Sequence, residues 1–161
     1  MRRLLLWLFL ACIAPALAGL HKVPDEHPIA TISIPDKWQT KELGEGVEAL
    51  SPDGAVHLIA IPPERNKTSE AMGEVMRYIR NTGGIVVRPE SIKNEPGKLK
   101  EMDIRNVSWQ GKDKNGDISI RFTIVWLAEA KQLLVAYWGS PKAEQKYEST
   151  LKQVLQSIKQ S

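Results

Sequence analysis

Three histidines and a scatter of carboxylates hold whatever acid–base or metal chemistry this chain of 161 residues could perform. His21-Lys22-Val23-Pro24-Asp25-Glu26-His27 places two imidazoles and two carboxylates close together. Those donor types suit several divalent metals, so His21, Asp25, Glu26 and His27 form one candidate metal set. The competing reading is a solvated tail, because ligands hold a metal only where surrounding structure supports them. If the chain is cut after Ala18, Gly19-Leu20-His21 becomes a new amino terminus. Its amine, two deprotonated amides and imidazole could then surround Cu(II) or Ni(II) in a square plane. His57 shares its parity with Ile59 and Ile61, which reads as a half-buried, hydrogen-bonded histidine ahead of a general base. No serine stands in a G-x-S-x-G context, and Ser140 is better placed to cap a helix than to attack a substrate. Gly83-Gly84 lacks the lysine and spacing of a phosphate loop. No catalytic residue set is expected, and no cofactor beyond the alternative copper or nickel site.

Large aromatic side chains either fill a core or anchor something that binds. Trp126 lies on the apolar side of an alternating stretch and reads as core filler. Trp38 follows the turn residues Pro35-Asp36-Lys37 and is the tryptophan expected to be partly exposed. Trp38, Trp109, Tyr137 and Trp138 are therefore the candidate contacts for a ligand or partner.

The first 18 residues belong to targeting rather than to the fold. Arg2-Arg3 supply a basic start, Leu4 to Ile13 an apolar run, and Ala16-Leu17-Ala18 the small-x-small pattern of a cleavage site. The run is too short for a membrane span. Export by a signal peptide covering residues 1–18 is expected, to the periplasm or outside. A rival reading makes Cys12 the lipidated residue of a lipoprotein, although Phe9-Leu10-Ala11 fits that signal poorly. Cleavage after Ala18 removes the single cysteine, so the remainder cannot form a disulfide within itself and must depend on a hydrophobic core. It also removes Arg2 and Arg3, leaving 20 basic against 19 acidic residues. A near-neutral domain lacks the field that nucleic acid demands.

The elements that must position these residues follow from periodicity. In Asp117 to Trp126, Ile118, Ile120, Phe122, Ile124 and Trp126 alternate with Asp117, Ser119, Arg121 and Thr123, which is a strand with one apolar and one mostly wet face. Asn115-Gly116 predicts a hairpin turn before it, and Leu133 to Trp138 a second strand after it. Residues 19–28 read as a mobile lead-in to a single domain over 29–161. Ile29 to Ile34 alternates into a first strand, and Pro52-Asp53-Gly54 joins Gly46–Ser51 to Ala55–Ile61 as a hairpin. Met72, Val75, Met76 and Ile79 form a helical stripe that Thr68 or Ser69 could cap and Gly83-Gly84 close. Ile85–Val87 is expected as a short strand and Pro89–Gly97 as a loop. Leu99–Gln110 is expected to be a strand bulged near Asn106, because its apolar parity switches there. Ser140 and Pro141 open a last helix with its stripe at Tyr147, Leu151, Val154, Leu155 and Ile158. The class is α+β: a three-layer α/β/α sandwich, mostly antiparallel, with one helix on each face.

Ile32-Ser33-Ile34-Pro35-Asp36-Lys37-Trp38, the hairpin at Ser51-Pro52-Asp53-Gly54, and Tyr137-Trp138-Gly139-Ser140-Pro141 before a closing helix occur in an order that resembles the PsbP/DcrB-like superfamily. The resemblance spans about residues 29–159. That group includes an extrinsic subunit of the photosynthetic oxygen-evolving complex and bacterial periplasmic proteins, most of them thought to be non-catalytic. It implies a fold and a location rather than a reaction. The expected role is an exported binding or accessory domain, monomeric or weakly dimeric, contacting an envelope protein or a small ligand. The alternative is a periplasmic metal-binding protein using the histidine-bearing segment.

Overall fold

The computed structural model describes residues 18–161. Residues 1–17 of the expected leader, Cys12 among them, lie outside the described residues, while Ala18, its last residue, opens the first strand. In chain order the elements are β1 (Ala18–Val23), β2 (Ala30–Pro35), β3 (Gln39–Leu43), β4 (Gly46–Leu50), β5 (Val56–Ile61), α1 (Thr68–Gly83), β6 (Val86–Leu99), β7 (Met102–Asp113), β8 (Gly116–Trp126), β9 (Gln132–Gly139), α2 (Pro141–Ser157) and β10 (Lys159–Gln160). A 3-10 turn at Ala128–Ala130 joins β8 to β9. Seven strands form an antiparallel sheet in the order β3-β4-β5-β9-β8-β7-β6. A small separate sheet runs β1-β2-β10. The α+β class and the antiparallel pairing match the expectation; the second sheet does not appear in it.

β8 and β9 sit inside the large sheet, and their parity divides the core. Ile118, Ile120, Phe122 and Ile124 of β8 pack with Leu134, Ala136 and Trp138 of β9 and with Val75 and Ile79 of α1. On the opposite parity, Val125, Leu133 and Val135 pack with Val56, Leu58 and Ala60 of β5, Leu151 and Val154 of α2, and Ile32 and Ile34 of β2. Strands buried on both faces carry apolar residues at both parities, which is what β5 and β9 show.

α2 begins as its sequence predicts. Ser140 Oγ accepts from the Ala143 amide at 3.1 Å, with proline at the start of the helix. α1 ends on Gly84 in the left-handed region at φ 61°, where glycine carries no Cβ penalty. Its start differs from expectation: Lys67 occupies the N-cap without a side-chain bond. The Thr68 hydroxyl instead donates to the side-chain carbonyl of Gln132 at the start of β9. A tertiary partner has taken the group that could have capped the helix.

Four further corrections concern strands whose side chains bury little. The expected mobile lead-in is partly β1, paired through all its residues with β2 and ending on fully buried Val23. β3 follows Trp38 directly and is almost wholly exposed. The expected loop at Pro89–Gly97 lies within β6, an edge strand where proline is tolerated because one side of the backbone needs no partner. The irregularity expected near Asn106 lies instead in β6, between Arg88 and Lys93, while β7 keeps one register with β8 from Ile104 to Asp113. Parity switches along β7 because its two halves bury opposite faces: Met102 and Ile104 join the α2-side cluster, Val107 and Trp109 the α1-side one. The β7–β8 hairpin turns on Lys114-Asn115, with Asp113 Oδ1 accepting from the amides of Asn115 and Gly116 at 2.7 and 3.0 Å.

Candidate functional site in the cleft beneath α2

The wet face of β8 points toward α2, and α2 does not cover all of it. A cleft of about 550 Å3 opens between the helix and the sheet, and a second of about 230 Å3 adjoins it, sharing Arg121, Tyr137 and Leu155. Cross-strand register builds the floor. Lys93, Ser108, Arg121 and Tyr137 are successive partners across β6, β7, β8 and β9. Glu95, Asn106 and Thr123 form the neighbouring row. Directly opposed residues of antiparallel strands bring their side chains together on one face, so each row is a contiguous polar strip. Leu99, Leu151 and Leu155 supply apolar wall.

Arg121 Nε donates to the Glu144 carboxylate in the first turn of α2, where the helix dipole also favours negative charge. Neither Nη of Arg121 has a protein acceptor among the described residues. The Thr123 hydroxyl donates to Asn106 Oδ1 at 2.9 Å. Burial pushes the Tyr137 phenol up to about 12, against the pull of the Arg121 guanidinium beside it and with a further push from Glu144 and Glu148. The phenol is thus a neutral hydrogen-bonding group at any physiological pH. The cleft thus brings hydrogen-bonding groups, the half-exposed Arg121 guanidinium, the Glu144 and Glu148 carboxylates and leucine side chains around one space.

The candidate contacts named from sequence scatter. Tyr137 alone lines this cleft. Trp38 is only 5% exposed and sits edge-on to Tyr147 of α2 at 5.5 Å, so the tryptophan expected to be exposed is a core residue. Trp138 is equally buried on the α1 side, stacked under His57 at 5.1 Å with Tyr78 edge-on at 6.3 Å. Trp109 is half-buried against Phe122 at 5.2 Å. Trp126, read as filler, is only partly covered, with Arg105 over its ring at 6.0 Å. His57 is stacked rather than hydrogen-bonded, and burial lowers its pKa against the opposing pull of Glu48.

The metal set does not assemble: among the described residues no three His, Cys, Asp or Glu side chains gather. β1 carries His21 along an extended ladder, 3.8 Å from Glu42 of β3, while Asp25, Glu26 and His27 follow in a bend past its end. Sequence reasoning missed Arg121, Asn106, Thr123 and Glu144 as a group. The one available signal was the wet parity of β8, which reads as a solvent face until a helix is laid across it.

No known protein-family profile matches the chain, and no curated protein matches it in sequence. Solved structures do. Cyanobacterial PsbP (CyanoP) from Synechocystis sp. PCC 6803 superposes with a TM-score of 0.61 at 9% identity, over 93% of this chain and 96% of that one. LpqN of Mycobacterium tuberculosis, described as involved in cell envelope biogenesis, gives 0.51 at 9% identity over 88% and 89%. A protein from Bacteroides thetaiotaomicron gives 0.54 at 9% identity, over 83% of this chain and 45% of that one. At such identity the likeness concerns the fold. The chain has the fold of PsbP, as its resemblance to the PsbP/DcrB-like superfamily implied.

Proposed function

We propose that this chain is an exported, non-catalytic binding or accessory protein of the bacterial envelope, and that it works through the cleft between α2 and the large sheet. The observation that carries the reading is the floor of that cleft. Two cross-strand rows of polar side chains lie on a sheet face whose neighbouring positions are fully buried and apolar. Polar groups grouped at the floor of a cavity with apolar wall beside them have the make-up of a recognition site. The reading takes the large sheet as the middle of three layers, with α1 and α2 on opposite faces, and the split of the core by strand parity supports it. It takes residues 1–18 as a signal peptide and places the protein in the periplasm or outside, as a monomer or weak homodimer. The part that LpqN, a protein of similar fold, takes in cell envelope biogenesis supports the envelope location. In the described residues no helix is long and apolar enough to cross a membrane.

The test is site-specific photo-crosslinking in the native envelope. A crosslinker at Lys152, on the rim of the cleft, should trap a ligand or partner, and one at Lys114, in the far hairpin, should not. Equal yields from both positions, or adducts from Lys114 alone, would remove the cleft from the function.

A further inference from the structure

The cleft also specifies what it would hold. Arg121 is hydrogen-bonded on one side: Glu144 takes Nε, Glu95 of the adjoining space acts on the guanidinium only through its charge, and neither Nη has a hydrogen-bond acceptor among the described residues. Its guanidinium is about half shielded from solvent, where a charge-assisted pair is stronger than on an open surface. The planar pair of Nη donors matches two oxygens of one carboxylate or phosphate. The Tyr137 phenol, its cross-strand partner, adds a neutral donor beside that position and has no hydrogen-bond partner among the described residues. Lys152 stands on the opposite wall without an ion pair among the described residues. Glu144 and Glu148 line the same space and would repel a second negative charge. The apolar part of the wall is Leu99, Leu151 and Leu155, set among polar side chains such as Gln145 and Gln156.

We propose that the cleft binds an amphipathic monoanion, its oxyanion head on the Nη groups of Arg121 and the Tyr137 hydroxyl, its apolar chain along Leu99, Leu151 and Leu155. This rests on the cleft being the binding site. A fatty carboxylate and a phosphodiester lipid headgroup share that chemistry. Glu144 keeps Nε and leaves the Nη groups to the ligand, while its negative charge offsets part of the guanidinium's pull on an anion.

Calorimetric titration of the protein as it accumulates in cells tests this with four probes below their aggregation limits. They are decanoate, dihexanoylphosphatidylglycerol, decanol (chain without charge) and acetate (charge without chain). At least one of the first two should bind, and decanol and acetate should bind at least about tenfold more weakly. Arg121→Gln should weaken the anionic probes by about ten- to a hundredfold and leave decanol unchanged. Glu144→Gln, which removes a negative charge beside the site, should tighten them. Which of the two anions wins identifies the source. Decanol binding as tightly as the better of the two anionic probes, or an Arg121→Gln variant that binds that probe as the native protein does, overturns the proposal. If no probe binds yet the crosslinker at Lys152 traps another class of molecule, the ligand class is wrong and the binding role stands. If neither probe nor crosslink reports the cleft, both fall.

Discussion

Arg121 and Phe122 are neighbours in β8 whose side chains leave the sheet on opposite sides, so exchanging each should damage a different property. Phe122 is fully buried, in the α1-side cluster, with Trp109 edge-on at 5.2 Å. Replacing a core phenylalanine by alanine costs about 3–5 kcal/mol through lost burial and the residual cavity. The aromatic pair contributes about 0.5–1.5 kcal/mol of its own, so Phe122→Ala should sit toward the upper part of that range. Arg121→Gln removes one half-exposed ion pair, worth about 0.2–1 kcal/mol. Urea unfolding followed by tryptophan fluorescence measures both, with equal slopes showing that the midpoint shift reports stability. Where Phe122→Ala leaves too little folded protein to fit, Phe122→Leu keeps most of the volume and should fall between the two. The same preparations then enter the ligand titration, where Phe122→Leu should bind as the native protein does and Arg121→Gln should not. Equal stability losses for the two neighbours, or a loss of less than about 2 kcal/mol for Phe122→Ala, would refute the division of this strand into a packing face and a recognition face.

Three further outcomes follow from the geometry. Asp53, in the β4–β5 turn, accepts from Lys146 Nζ at 2.6 Å, Ser51 Oγ at 2.8 Å and Tyr147 Oη at 2.9 Å, and these partners, Lys146 first, hold its carboxyl well below the usual range. Because the folded pKa is depressed, the stabilisation is present above the unfolded carboxylate pKa and lost as pH falls through the folded value; Asp53→Asn should therefore flatten the acid limb of a stability–pH curve, and an unchanged limb would deny the pin. His57 has its pKa lowered by burial against Trp138, so the unfolded chain binds its proton more readily; stability should decline as pH falls below the ordinary histidine value, and His57→Phe should remove that decline in denaturant titrations. A Cu(II) chelate at Gly19-Leu20-His21 would require this stretch to leave its extended pairing with Ile34, Ser33 and Ile32. Copper titration of protein cleaved after Ala18 should give a d–d band only together with loss of amide protection in β1, and a band with that protection intact would refute the competition.

What could be known from residues alone was whatever a hydrophobic period or a local backbone demand writes into the chain. The alternation of β8, the two-faced runs of β5 and β9, the stripes of α1 and α2, the Ser140-Pro141 start and the Gly84 stop are of that kind, and each appears where its sequence places it. Order among such signals was enough to point to the PsbP fold. The edge strands were not legible, because β1, β3 and most of β6 expose their side chains and are held by main-chain hydrogen bonds that any residue supplies. Trp38 shows the converse: beside a turn it looked like a surface residue, and only the arrival of α2 with Tyr147 buries it. The cleft belongs wholly to tertiary structure. Lys93, Ser108, Arg121 and Tyr137 come from four strands and share no local pattern; register brings them into one row, and the limited reach of a single helix leaves that row open.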